Sequence, residues 1–177
     1  MADLANRYPA ISDLEVRAKG RVPHFAWVYL TSGTGEEALV NANHAALDAV
    51  RLMPRFMAGP FEPDLSTSLF GEKFDAPFGV APVGATGMIW PGGECMLARM
   101  AAHHAIPYTL STVACETPET IGPMAEGRGW FQLYSTKTAA TRDDILDRAR
   151  DAGFSALVAT ADVPVPSLRE RQRKAGL

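Results

Sequence analysis

Four short apolar runs in the second half of this chain each end in groups that can hydrogen-bond. Pro82-Val83-Gly84 follows Phe78-Gly79-Val80-Ala81, and Ser111-Thr112 closes the run that begins at Tyr108. Gln132 and Tyr134 stand at the end of the run from Trp130, and Thr160 with Asp162 at the end of the run from Ala156. The first end offers open backbone beside a glycine, and the other three offer polar side chains. If the runs are strands of one sheet, these ends converge on one rim. Hydroxyls, an amide and backbone groups in that setting suit a planar, hydrogen-bonding ligand better than a metal ion. Strand ends are often polar simply because they meet water, but four in order along one rim are harder to assign to solvation.

Other reactive residue types are less well placed. Cys95 and Cys115 lie twenty positions apart, with no second pair and no histidine at ligand spacing. That supports neither a zinc ribbon nor a disulfide scaffold, and reads as two reduced thiols packed as small hydrophobes in a cytoplasmic protein. His24, His44, His103 and His104 fall in expected helices away from the strand ends. Packing or surface roles are the norm for such histidines.

The elements that must position the rim change character near residue 77. Before it the pattern is helical: a segment from Pro9 to Lys19 with Ser12 as N-cap, an aromatic-rich helix over Pro23–Leu30, and a third over Glu36–Leu52. The third should bury Leu39, Val40, Asn43, Ala46, Leu47 and Val50 on one face. Leu65–Phe74 reads as a hairpin around Phe70-Gly71. Beyond Pro77 short strands alternate with helices over Gly93–His104, Pro118–Ala125 and a segment opened by a capping box at Thr141–Asp144 and closed by Gly153. Met96, Leu97, Met100 and Ala101 should face inward from the first of these, and Ile145, Leu146, Ala149 and Ala152 from the last. The strands are apolar throughout, as parallel strands covered on both faces are.

A (β/α)8 barrel takes about 250 residues, or about 31 per unit. Residues 78–177 number 100, enough for three units and one extra strand. A doubly wound sheet could begin the same way, but its GxGxxG fingerprint is absent, and Gly84-Ala85-Thr86-Gly87 is a weak substitute. The expected fold is therefore α/β: the N-terminal half of a (β/α)8 TIM barrel with four parallel strands, over residues 77–177. A helical segment and a β-hairpin over 1–76 would precede it. Composition agrees with a packed soluble domain, 47% of the 177 residues being hydrophobic. A net charge of −3 gives no basic field for nucleic acid or an anionic membrane surface. No apolar run approaches the ~20 residues that span a bilayer, and MADLANRYPA does not read as a signal peptide.

Several motifs, in order and at matching spacing, resemble the N-terminal half of the FMN-dependent α-hydroxy-acid dehydrogenases and oxidases. They are Tyr29 followed by Ser32-Gly33, Val80-Ala81-Pro82, Leu110-Ser111-Thr112, Phe131-Gln132-Leu133-Tyr134, and Thr160-Ala161-Asp162 followed by Arg169-Glu170. The likeness covers nearly the whole chain from about Ile11. It implies FMN as cofactor, with Pro82, Val83 and Gly84 lying against the flavin ring through their backbone. Ser111, Gln132 and Thr160 would hydrogen-bond its polar edge. Tyr134 would act as a catalytic residue touching the substrate hydroxyl or carboxylate, and Tyr29 and Arg169 would bind the carboxylate. The implied reaction converts a small L-2-hydroxy acid, of the glycolate, lactate or mandelate kind, to the 2-oxo acid, with hydride passing from C2 to flavin N5.

This chain departs from the family at several positions. Pro166-Ser167-Leu168 precedes the arginine and Gln172 stands in a usually acidic stretch. Gly84 occupies a place where many oxidases have alanine, and Val113 one where a bulky aromatic occurs. The family's base, its lysine, its second arginine and its phosphate-binding loops come from later strands than any present here. Residues 1–177 alone should therefore not be catalytic, and a complementary C-terminal half of the barrel is the expected partner, within a homo-oligomer such as a tetramer. A non-catalytic half-barrel or pseudo-enzyme assembly subunit is the alternative. A flavin barrel acting on prenyl diphosphates fits less well, because it needs no carboxylate clamp.

Overall fold

In the computed structural model the described residues are 2–57, 59–161 and 167–177. They group into two compact units, one of Met1–Gly59 with Val163–Leu177 and one of Pro60–Asp162. Each is described by itself.

The first unit is helical: α1 (Ala2–Arg7), α2 (Ile11–Lys19), α3 (His24–Thr31), α4 (Ala38–Asp48) and α9 (Glu170–Lys174). Helix α2 starts two residues earlier than a Ser12 cap would place it. Ala10 is the N-cap residue, and its backbone N–H donates to the Asp13 carboxylate at 3.0 Å. On α4 the expected buried face is open, with Leu39 and Leu47 exposed, and Val50, which lies beyond the end of the helix, is exposed as well. Helix α9 packs on the end of α3 through polar side chains. Arg171 pairs with Glu37 at 2.8 Å, Gln172 donates to the Ser32 hydroxyl at 3.1 Å, and Glu170 accepts the Gly35 N–H at 3.1 Å.

The second unit is α/β. A hairpin of β1 (Thr67–Leu69) and β2 (Glu72–Phe74) is followed by α5 (Thr86–Ile89), α6 (Gly93–His103), β3 (Tyr108–Ser111) and α7 (Pro118–Ile121). A 3-10 turn over Gly122–Ala125, β4 (Gly129–Leu133), α8 (Ala139–Asp151) and β5 (Ala156–Ala159) complete it. Strands β3, β4 and β5 are parallel and adjacent in that order, with Leu110 opposite Phe131 and Phe131 opposite Leu157. Phe70 and Phe74 of the hairpin set their rings edge-on to Trp130 of β4, at centroid distances of 5.5 and 6.0 Å.

Among the described residues the parallel sheet thus has three strands, not the expected four. The first expected strand, Phe78–Ala81, is reduced to one parallel bridge between Val80 and Tyr108. Val80 donates to the Pro107 carbonyl at 2.8 Å and accepts from Thr109 N–H at 3.0 Å. The next rung on either side is chemically impossible. One would need an N–H from Pro82 and the other an N–H from Pro107, and proline has none.

The core lies between sheet and helices: Tyr108, Leu110 and Phe131 against Ala98, Ala101, Ile121 and Ala149. Strand β3 is buried at every position, but β5 alternates, with Leu157 52% exposed, so it is not covered on both faces. The inward side of α6 carries Glu94, Ala98, Ala101 and Ala102, while Met96 and Met100 are exposed. Small residues let the helix sit close to the sheet, and that proximity decided the face over bulk hydrophobicity. The N-cap of α8 is Thr138, whose hydroxyl accepts the Thr141 N–H at 3.2 Å, so the expected capping box lies inside the helix. Gly122 packs so tightly that a Cβ there would stand 2.0 Å from the Ala152 carbonyl oxygen.

Candidate active site

The C-terminal ends of the three parallel strands carry one connected hydrogen-bond network. Gln132 of β4 is 2% exposed and Ser111 of β3 is 5% exposed. The Gln132 Oε1 accepts from the Ser111 hydroxyl at 3.1 Å and from the Thr112 N–H at 3.2 Å. Its Nε2 donates to the Thr160 hydroxyl oxygen at 2.6 Å. The side-chain amide is therefore held at both ends, across all three strand ends, with its orientation set by its neighbours.

The alternation of a parallel strand explains this convergence. The register sets Ser111 beside Gln132, so the two side chains share a face of the sheet at one height. Thr160 lies one residue beyond β5, held by its own N–H donating to the Leu133 carbonyl at 3.0 Å.

Tyr134 is coupled to the network through Thr112, which the sequence placed at the strand end but assigned no contact of its own. The Thr112 hydroxyl donates to the Gln132 carbonyl and accepts the Tyr134 N–H at 3.2 Å. Tyr134 itself is 40% exposed. With Thr136, Lys137, Thr138, Arg142 and Thr160 it lines a cleft of ≈ 290 Å³.

Pro82, Val83 and Gly84 follow the Val80 bridge directly. Pro82 and Val83 are exposed and Gly84 is half-buried. The loop they begin is tied to the loop after β3 by the Ala85 N–H, which donates to the Val113 carbonyl at 2.9 Å. A second tie, missed at the level of sequence, runs through Glu94 of α6. Its carboxylate accepts N–H groups from Gly87 and Cys115, both at 3.0 Å. No pattern of spacing marks Glu94, because a glutamate in the first turn of a helix ordinarily reads as a dipole partner.

Tyr29 and Arg169 belong to the helical unit. Tyr29 is half-buried on α3, and Arg169 is the exposed N-cap residue of α9. The polar ties between α9 and residues 31–37 hold the Arg169 segment on the turn that follows Tyr29. Glu37 is central to them. The Gly33 N–H, then the Arg171 guanidinium, hold its carboxyl below the usual carboxylate range. Asp162, expected at the rim beside Thr160, lies outside the described residues.

Titration and metal chemistry point elsewhere. Burial, reinforced by Glu94 and then Cys95, raises the Tyr108 phenol, but that residue begins β3 at the end opposite the rim. Among the described residues no three His, Cys, Asp or Glu side chains group to hold a metal ion. Cys95 and Cys115 are free thiols. Among the described residues no helix is long and apolar enough to cross a membrane.

Parallel strands with an amide-and-hydroxyl rim at their C-terminal ends define an α/β protein, and groups of this kind are able to pair with a hydrogen-bonding organic ligand. The chain belongs to the FMN-dependent dehydrogenase family, whose model matches residues 18–177. It is 40% identical over 168 residues to the L-lactate dehydrogenase of Ectopseudomonas mendocina, covering 95% of this chain and 44% of that protein. The L-lactate dehydrogenase of Vibrio parahaemolyticus is 37% identical over the same length and coverage. A crystal structure of mandelate oxidase superposes with a TM-score of 0.90 at 35% identity, covering 96% of this chain and 49% of that one. The chain thus spans about half the length of the relatives it matches.

Proposed function

We propose that this chain supplies the flavin-facing first half of a (β/α)8 barrel enzyme that oxidises a small L-2-hydroxy acid to the 2-oxo acid. The observation that carries the reading is the Ser111–Gln132–Thr160 network at three consecutive strand ends. A side-chain amide has two N–H donors and a hydroxyl has one. Gln132 spends one N–H on Thr160, and among the described residues its second N–H and the Thr160 hydroxyl hydrogen are left to donate to a ligand. Two such donors at one level suit the acceptor-rich pyrimidine edge of an isoalloxazine, so the residues present fit FMN.

In this reading Ser111, Gln132 and Thr160 hold that edge, and the backbone of Pro82, Val83 and Gly84 lies against the ring. Bound FMN supplies the two-electron acceptor. Tyr134, kept in place through Thr112, meets the substrate hydroxyl or carboxylate. Tyr29 and Arg169 bind the carboxylate, for which a planar guanidinium offers a two-pronged donor. Their joint effect is positioning: a carboxylate fixed at defined points presents C2 in one orientation. The remaining strands and the base that takes the hydroxyl proton come from the complementary half of the barrel. Relatives more than twice as long as the matched segment support this, as does the pairing of β5 with β4 alone among the described residues.

The test is a flavin measurement on the full-length protein. Purified material should carry a visible flavin band that bleaches anaerobically with L-lactate, glycolate or L-mandelate. A colourless protein that takes up no FMN on titration overturns the reading.

A further inference from the structure

The two loops nearest the proposed flavin face are joined by one buried side chain. Glu94, the second residue of α6, is 0% exposed. Its Oε1 accepts from the backbone N–H groups of Gly87 and Cys115, each at 3.0 Å. Its Oε2 is buried as well and has no hydrogen-bond partner among the described residues. Burying a carboxyl with one oxygen unsatisfied is costly, so a fold that keeps it there gains something other than stability at that point.

What the carboxyl holds is specific. Gly87 lies three residues after Gly84, and Cys115 three residues after Thr112. Between them the Ala85 N–H donates to the Val113 carbonyl at 2.9 Å, so the two loops are packed together. A Cβ at Gly87 would stand 2.7 Å from the Cys115 Cβ and 3.2 Å from Glu94 Oε2. The short helix α5 and the loop after β3 therefore meet with no room for another side chain. Glu94 accepts from both sides of that seam.

We infer that Glu94 is a positioning residue for the flavin site. Through the Gly87 and Cys115 amides it fixes the backbone of residues 82–84 relative to the rim of Ser111, Gln132 and Thr160. The inference rests on the flavin reading of that rim. Glu94 touches neither flavin nor substrate in it; it acts through the loop.

Three variants of the full-length protein test this: Glu94→Ala, Glu94→Gln and Glu94→Asp. FMN affinity is read by fluorescence titration of the apoprotein, and the setting of the ring by the visible circular dichroism of bound FMN. A glutamine keeps an acceptor oxygen in place for both amides, an alanine keeps none, and an aspartate is one methylene short. Glu94→Ala should weaken FMN about tenfold or more and alter the visible dichroism, while Glu94→Gln stays within about threefold of the parent, as expected if two hydrogen bonds carry the role. If Glu94→Ala does not fold, the other two decide, and Glu94→Asp should bind FMN at least about threefold more weakly than Glu94→Gln. A parent that binds FMN, with all folded variants matching it in affinity and dichroism, overturns the assignment of Glu94 alone. A parent that binds no FMN removes the flavin reading, and the assignment with it.

Discussion

The Thr112 hydroxyl accepts the backbone N–H of Tyr134 at 3.2 Å and donates to the Gln132 carbonyl. One side chain on the loop after β3 thereby sets the backbone on which β4 ends. Tyr134 is 40% exposed, and that hydroxyl is what holds its backbone N–H. Replacing Thr112 by valine keeps the shape and removes both bonds. We expect Thr112→Val to lower kcat/KM for the 2-hydroxy acid about tenfold while FMN affinity changes by less than about threefold, since both hydrogen bonds lost lie away from the ring. Thr112→Ser should restore most of the loss. Steady-state kinetics alongside an FMN titration separates the two effects.

Gln132→Leu should act on the cofactor. The leucine leaves the Thr112 N–H and two hydroxyls without the partner they have now. Stranding a buried polar group, as Ser111 is, costs about 1–3 kcal/mol, and the half-buried Thr112 and Thr160 less. The expected outcome is a lower denaturation midpoint together with weaker FMN binding. An unchanged FMN affinity in a folded Gln132→Leu protein would count against the rim as the flavin site.

Tyr134→Phe and Tyr29→Phe should do the reverse. Neither change touches the Ser111–Gln132–Thr160 network, so flavin content should hold. Each removes one hydroxyl hydrogen bond, worth about 0.5–1.5 kcal/mol net and more towards a carboxylate, which should appear as a loss in kcat/KM. Flavin loss with unchanged kinetics in the retained fraction would overturn these roles.

Acid should loosen α7 from α8. The Arg148 guanidinium, at 2.6 Å, together with the Glu119 backbone N–H and the Thr117 hydroxyl, holds the Glu119 carboxyl down to about 2. A carboxyl whose folded value is depressed contributes stability above its unfolded value, near 4.5, and loses it as pH falls towards 2. Both side chains are exposed, so the effect is small and screened by salt. In urea denaturation at low ionic strength, the difference between the parent and Glu119→Gln should be constant above about pH 5.5 and shrink towards zero by about pH 2. A difference independent of pH would show that the pair contributes nothing.

Gly122→Ala should be among the most damaging single methyl additions. Its Cβ would meet the Ala152 carbonyl oxygen at 2.0 Å, and the obstacle is backbone, which cannot rotate away. Overpacking of this kind costs about 1–3 kcal/mol or more. Thermal denaturation checks it directly. Gly153→Ala nearby is also unfavourable, but for a different reason: its φ of +88° disfavours any side chain although the space is open.

Residue order alone determined the alternation of short apolar runs and helices after Pro77, the polar residue at each run's end, and the family to which those motifs belong. Periodicity and turn chemistry are local, so they survive without coordinates. The same reading misjudged which faces are buried on α4 and α6, because burial depends on what packs opposite and on how closely small residues allow approach. The missing fourth strand is the sharpest case. Pro82 and Pro107 are plain in the sequence, but only the register of Val80 against Tyr108 turns each into a deleted rung. Glu94 is similar: a glutamate early in a helix is unremarkable until the fold carries two loops to its carboxyl. Sequence sets which groups a strand end can offer. The tertiary structure sets which of them meet, because a hydrogen bond needs its partner at about 3 Å, and only long-range packing brings residues twenty or more positions apart to that distance.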